Sequence, residues 1–111
     1  MVNRSRTGSA PCMKYDLIIR SQAEAELAEA YDWYEGRVQG LGSEFLLAVD
    51  AVLQSVARNP RQYPVVYKKI HRALTRRFPY AVFFLVDRKQ VVVLAVFHAS
   101  RNPDAWQRRA E

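Results

Sequence analysis

The stretch VVVLAVF at residues 91–97 decides the fold of this chain. It has seven apolar residues and no polar face, so as a β-strand it must be covered on both sides. We therefore predict a strand in the interior of a sheet. His98 follows directly and Arg101 comes three residues later, at the end of this stiff strand. A titratable ring beside a permanent cation fits a functional site, and it also fits a hydrogen-bonded strand boundary.

Three further segments complete a small sheet around this strand. Residues 15–20 predict a short N-terminal strand, residues 65–74 a basic edge strand, and residues 81–86 a buried strand. A turn at residues 87–89 joins the last two strands as a hairpin. The pattern therefore predicts an antiparallel meander after an N-terminal strand, followed by a helical turn at residues 104–109.

Two amphipathic helices lie between the N-terminal strand and the meander. Ser21 and Glu24 have the spacing of a capping box at the start of the first helix. The second helix is expected at residues 43–58, because glycines precede it and Asn59-Pro60 ends it. So short a link predicts an antiparallel helical hairpin, and one apolar stripe per helix places both helices on one face of the sheet.

These elements predict an α+β fold whose second sheet face is partly open, lined by basic and aromatic residues. Trp33 and Tyr34 are interpreted as core and hairpin-interface aromatics, and His71 as an exposed edge residue. Residues 1–12 are small and polar and predict a disordered extension or tag, so residues 13–111 form a single domain. There is no long apolar run and no secretion signal, and Cys12 is the only cysteine, which favours a cytoplasmic protein.

The net charge of +6 is unevenly distributed. Residues 14–57 carry eight acids and three bases, and residues 58–111 carry three acids and twelve bases. Such a basic half attracts an acidic partner, either nucleic acid or protein, although it also fits a solvated surface. The candidate binding residues are Lys68, Lys69, Arg76 and Arg77.

Motifs for a bound metal or a nucleotide are missing from the sequence. It has no CxxC pair, no HExxH and no Walker loop, and its two histidines have no cysteine near them. We therefore expect neither a metal site nor a cofactor.

Several short motifs run in order over nearly all of residues 13–111. They are Asp32-Trp33-Tyr34-Glu35, Gly40-Leu41-Gly42-x-x-Phe45, Asn59-Pro60, Pro64, Arg72, Phe78-Pro79-Tyr80 and His98-x-x-Arg101-Asn102-Pro103-x-x-Trp106-x-x-Arg109. Together these motifs resemble the RelE/ParE toxins of type II toxin–antitoxin modules, on the ParE-like, plasmid-stabilisation side.

The resemblance implies a helical hairpin on a small antiparallel sheet and a growth-inhibiting toxin. It also implies a cognate antitoxin whose acidic tail wraps the basic sheet face. ParE-like members poison DNA gyrase, whereas RelE-like members are metal-independent endoribonucleases that cut mRNA on the ribosome. Both targets stay open. So does a third interpretation, in which the chain is a non-catalytic module that binds protein or nucleic acid. Whether the chain is an enzyme depends on the target.

For RNA cleavage, the resemblance offers His98 as base or acid, and Tyr80 to stack a base or donate a proton. The cations on the phosphate would be Arg72, Arg101 and Lys68. Two departures weaken this assignment. Pro79-Tyr80-Ala81 lacks the arginine that RelE-like ribonucleases carry directly after a tyrosine on the middle strand, and Trp106 replaces a late tyrosine that some of them use.

Overall fold

The computed structural model describes residues 15–99 and Gln107. Within residues 15–99 the chain forms two long helices and five strands, with a short 3-10 helix at Pro60–Gln62. The elements in chain order are β1 (Asp16–Ile19), α1 (Ser21–Arg37), α2 (Leu41–Arg58), β2 (Val65–Tyr67), β3 (Ile70–Leu74), β4 (Tyr80–Asp87) and β5 (Gln90–His98).

The five strands form one sheet in the order β1-β5-β4-β3-β2. The apolar run at residues 91–97 is an interior strand as predicted, because β5 lies between β1 and β4. It pairs with β1 in parallel and with β4 antiparallel. Every other neighbouring pair is antiparallel, so the sheet is antiparallel except at its N-terminal edge.

Both helices pack on the same face of this sheet, which confirms the predicted α+β architecture. We call this the helix face; its strands contribute Ala73, Val82, Phe84, Val93 and Val96 to a core shared with the two helices. From α2, Phe45 and Val56 enter this core with no exposed surface. Burial of large apolar side chains at each layer is the main stabilising contribution in a domain of this size.

The opposite face of the sheet, which we call the distal face, is apolar and buried at its centre. Its residues Ile70, Ala81, Phe83, Ala95 and Phe97 are at most 3% exposed. Toward β2 and β3 this face is partly open, because Tyr67 is half-buried and Arg72 is exposed. The expectation of a partly open face lined by basic and aromatic residues therefore holds only at that side of the sheet and is wrong for its centre.

The basic segment at residues 65–74 is a hairpin rather than one edge strand. Strands β2 and β3 pair antiparallel, and Lys68 with φ +51° makes the turn between them. The imperfect alternation of the sequence arises because the chain reverses in the middle of the segment. His71, expected to be exposed, is buried: its ring stacks on Phe84 at 5.1 Å and its Nδ1 lies 2.8 Å from the Tyr63 carbonyl oxygen.

The link between the two helices depends on one carboxylate. Glu35 accepts hydrogen bonds from the backbone N–H groups of Gly40 and Gly42, both at 2.9 Å. These donors lie at the start of α2, where backbone N–H groups have no partner within the helix. Gly40 has φ +88°, and a Cβ on Gly42 would lie 2.8 Å from the Tyr31 carbonyl oxygen. The Glu35 and Gly40-Leu41-Gly42 motifs therefore form a single structural unit.

The predicted capping box at the start of α1 is absent. Arg20 is the N-cap residue and no side chain caps this end, so Ser21 is already inside the helix. The predicted extension at residues 1–12 lies outside the described residues. So does the predicted turn at residues 104–109, except for Gln107, which is helical. Neither helix of the described chain is long and apolar enough to cross a membrane.

Candidate functional site

Tyr80 and His98 face each other across the first pair of residues in the β4–β5 ladder. Their rings meet edge to face with centroids 5.6 Å apart. Tyr80 is half-buried and also packs against Phe45 at 5.1 Å, whereas His98 is exposed. A core-anchored phenol therefore supports a solvent-facing imidazole at the end of a rigid strand, which suits an acid–base group or a contact surface.

A β-bulge determines the face on which His98 lies. Phe83 pairs with Ala95 and Phe84 with Val93, so that Leu94 is an extra residue in β5. Side chains alternate between the faces of a strand, and one extra residue moves all later side chains to the other face. Without the bulge His98 would lie on the distal face; with it, His98 shares the helix face with Tyr80.

Arg72 lies on the opposite side of the sheet from this pair. It is exposed and pairs across the β3–β4 ladder with Phe83, a distal-face residue, whereas its neighbours His71 and Ala73 lie toward the helices. The sheet itself therefore separates Arg72 from Tyr80 and His98. The fourth predicted residue of this group, Arg101, lies outside the described residues.

The four predicted binding residues fall at two different ends of the sheet. Lys68 and Lys69 form the β2–β3 turn, about five residues, or roughly 16 Å, from the end that carries His98. Arg76 and Arg77 belong to the β3–β4 connection, at the His98 end. All four are exposed, so the basic half of the chain makes two separate cationic regions.

The positive charge of Arg77 is partly neutralised by an ion pair with Glu44. Its Nη2 donates to Glu44 Oε1 at 2.6 Å, and its guanidinium lies 5.6 Å from the centre of the Phe78 ring. Both charged side chains remain at least half exposed, so this ion pair contributes little to stability. Its effect is to hold the Arg77 side chain against α2.

Burial raises the pKa of the Tyr34 hydroxyl above its ordinary value, and the neighbouring Tyr80 phenol raises it further. The Tyr34 ring touches Phe45, Phe78 and Tyr80 within 6.0 Å. This hydroxyl is therefore protonated at neutral pH. The Tyr34 ring packs against Tyr80, at the end of the sheet that carries His98. The interpretation of Tyr34 as a core aromatic is confirmed.

Trp33 is 54% exposed, unlike the neighbouring Tyr34. It is therefore not the core aromatic that the sequence suggested. The Arg37 guanidinium lies 4.3 Å from the centre of its ring, a cation–π arrangement one helical turn along α1. A signal existed in the sequence: Trp33 lies about 100° around the helix from Tyr34, at the margin of the stripe formed by Ala23, Leu27, Ala30 and Tyr34. Metal binding has no support within residues 15–99, where no three His, Cys, Asp or Glu side chains are grouped.

This architecture, a helical hairpin on one face of a small sheet with its last strand in the interior, is the fold of RelE/ParE toxins. The chromosomal ParDE toxin–antitoxin system of P. aeruginosa contains a chain that matches with a TM-score of 0.69 and 16% identity, covering 78% of this chain and 98% of that one. The RelBE2 toxin–antitoxin complex of Mycobacterium tuberculosis matches with a TM-score of 0.56 and 21% identity, covering 77% and 98%.

Sequence similarity identifies the family to which the chain belongs within this class of toxins. A family model described as the ParE toxin of type II toxin-antitoxin system, parDE, matches residues 17–103. Toxin ParE2 of Mycobacterium tuberculosis is 27% identical over 90 residues, which cover 80% of this chain and 86% of that toxin. The chain therefore belongs to the ParE toxin family of type II toxin–antitoxin systems, and it is a toxin.

Proposed function

We propose that this toxin arrests growth in the cytoplasm by poisoning DNA gyrase, and that a cognate antitoxin neutralises it. The family membership supports the target, since the matching family model, over residues 17–103, describes ParE toxins. The resemblance of the motifs to ParE-like members supports it as well.

The observation that carries this proposal is the separation of the candidate catalytic residues. Metal-free RNA cleavage requires a base, an acid and a cation within hydrogen-bond reach of one phosphate. Tyr80 and His98 lie on the helix face, whereas Arg72 lies beyond the sheet on the distal face. Arg72 and the Tyr80–His98 pair therefore lie on opposite faces of the sheet, which supports a toxin that acts by binding.

A RelE-like endoribonuclease is the second candidate, and the exposed imidazole of His98 favours it. A histidine at the end of a rigid strand, supported by a tyrosine ring at 5.6 Å, is placed well for proton transfer. In that case Arg101, three residues after His98, supplies the cation, and Arg72 has no part in the chemistry.

For the antitoxin we propose an acidic segment that contacts the exposed arginines and lysines of the second half of the chain. Lys68 and Lys69 lie at one end of the sheet, and Arg76 and Arg77 at the other. A partner that contacts both must extend along the molecule. Its binding therefore weakens as salt increases, because screening reduces attraction between exposed charges.

A two-arm assay with the purified toxin tests the target. One arm measures supercoiling of relaxed plasmid by gyrase, and the other maps mRNA ends in a reconstituted translation reaction. We expect dose-dependent loss of supercoiling and intact mRNA. Discrete mRNA cuts that disappear with His98→Ala but persist with the control Arg88→Ala, an exposed arginine in the β4–β5 turn, would instead establish the RelE-like activity.

A further inference from the structure

The second half of β5 extends beyond the end of its neighbour β1. Pairing between the two strands stops at Ile19, which lies opposite Val93, and the Arg20 N–H donates to the Val93 carbonyl oxygen at 3.1 Å. The chain then enters α1, which begins at Ser21. Within residues 15–99, the edge of β5 between Val93 and His98 therefore faces no strand on the side of β1.

A carboxylate of α1 reaches this edge in place of a strand. Glu26, in the second turn of the helix, accepts the Val96 backbone N–H on its Oε1 at 2.9 Å. Its side chain is half-buried. A hydrogen bond to a charged acceptor is stronger than one between neutral groups, and partial burial limits competition from water. Glu26 therefore fixes the start of α1 to the end of β5, 70 residues further along the chain.

This hydrogen bond requires the bulge in β5. The N–H and C=O groups of one residue point to the same edge of a strand, and successive residues point to opposite edges. The Val93 carbonyl faces β1, so in a regular strand the Val96 N–H, three residues later, would face β4. The extra residue Leu94 reverses this order. The Ala99 N–H shows the outcome, because it donates at 2.7 Å to the Pro79 carbonyl oxygen, on the β4 side, which leaves Val96 facing the opposite edge.

We infer that Glu26 is a positioning residue, which holds β5 in its bulged register and thereby keeps His98 on the helix face beside Tyr80. The bulge at Leu94 lies between the last backbone contact of β1 and the Glu26 hydrogen bond, so the strand is fixed on both sides of it. Loss of the carboxylate releases one of these two points, and the His98 ring moves with the strand. For toxicity the inference rests on the proposed function, since it requires the Tyr80–His98 pair to belong to the surface that acts on the target.

Three substitutions of Glu26 separate its reach from its charge. Glu26→Gln keeps an acceptor oxygen at the same reach, Glu26→Asp keeps the charge on a side chain one methylene shorter, and Glu26→Ala keeps neither. The matched control is Glu29→Ala, because Glu29 carries the same charge one turn further along α1 and is exposed. Thermal melts identify the folded variants. If Glu26→Ala does not fold, Glu26→Asp against Glu26→Gln provides the comparison.

Nuclear magnetic resonance of the folded variants measures the orientation of His98. The wild type should show nuclear Overhauser contacts between the Tyr80 and His98 rings, whose centroids are 5.6 Å apart. We expect Glu26→Gln and the Glu29→Ala control to retain these contacts, and Glu26→Ala and Glu26→Asp to lose them. The Val96 amide should exchange with solvent about tenfold faster in the two variants that cannot reach it, as loss of one hydrogen bond implies. A merely structural link between helix and sheet would change stability without moving the His98 ring.

Growth arrest at matched toxin levels connects this orientation to toxicity. Glu26→Ala and His98→Ala should reduce the arrest by the same factor, and the double variant should be no weaker than His98→Ala, because both changes act through one ring. Ring contacts retained in Glu26→Ala, multiplied losses in the double variant, or failure of both Glu26→Ala and Glu26→Asp to fold would overturn the positioning role. Full growth arrest by His98→Ala would also overturn it and leave the target untouched, since the gyrase assay uses the wild-type toxin.

Discussion

Removal of the Glu35 carboxylate tests the account of the helical hairpin most sharply. Its two oxygens each accept one backbone N–H, from Gly40 and Gly42, at 2.9 Å. Replacement by alanine leaves both donors without this partner in a partly buried link and also removes a negative charge from the start of α2. The carboxylate therefore acts as a helix cap supplied from the preceding helix.

The expected cost follows from these contacts. Loss of a capping side chain costs about 0.5–2 kcal/mol, and a negative charge at a helix N-terminus contributes about 0.3–1 kcal/mol. For Glu35→Ala we therefore expect a loss of about 2 kcal/mol in the free energy of unfolding, or a Tm lower by roughly 10 °C. Glu35→Gln retains one acceptor oxygen and should lose about half as much.

Urea unfolding followed by circular dichroism measures this difference. The control is Glu29→Ala, which removes the same charge from an exposed position on the same helix and should cost less than about 0.5 kcal/mol. If Glu35→Ala and Glu29→Ala unfold at the same urea concentration, the carboxylate does not support the hairpin and the account of the Glu35 motif is wrong.

Three further predictions concern the same framework. Gly42→Ala should destabilise the fold by more than 1 kcal/mol in urea melts, because its Cβ would lie 2.8 Å from the Tyr31 carbonyl oxygen; a change below 0.5 kcal/mol would contradict that contact. Thr75→Val should cost about 1–2 kcal/mol by the same measurement, since the buried hydroxyl donates to the Phe78 carbonyl oxygen at 2.7 Å; stability equal to wild type would refute this role. The raised pKa of Tyr34 means that the unfolded chain ionises first as pH rises past about 10. Stability should fall there, and Tyr34→Phe should fall less steeply in alkaline melts; identical slopes would refute the assignment.

The helical hairpin and the strands could be predicted because their signals are local. Apolar residues at three- and four-residue steps, the Asn59-Pro60 stop and the turn at residues 87–89 each act over a few neighbours. The interior position of β5 followed from its lack of a polar face. The helix boundaries were correct to within about two residues for the same reason.

The relative positions of the candidate site residues depend on features that leave no local trace. An all-apolar strand does not alternate, so its sequence cannot indicate that Leu94 is an extra residue and that His98 therefore lies on the helix face. Pairing of β1 with β5 joins segments about 70 residues apart and has no spacing signal. The charge pattern likewise indicated one basic surface, whereas the β2–β3 turn and the β3–β4 connection separate it into two regions.

Capture of covalent gyrase–DNA complexes from cells tests the central claim most directly. Cells are lysed with detergent within minutes of toxin induction, and gyrase bound to DNA is quantified alongside the integrity of a long mRNA. The account predicts that gyrase–DNA complexes accumulate while the mRNA stays intact, and that co-expression of the antitoxin prevents this. Growth arrest with fragmented mRNA and no increase in trapped gyrase would contradict it.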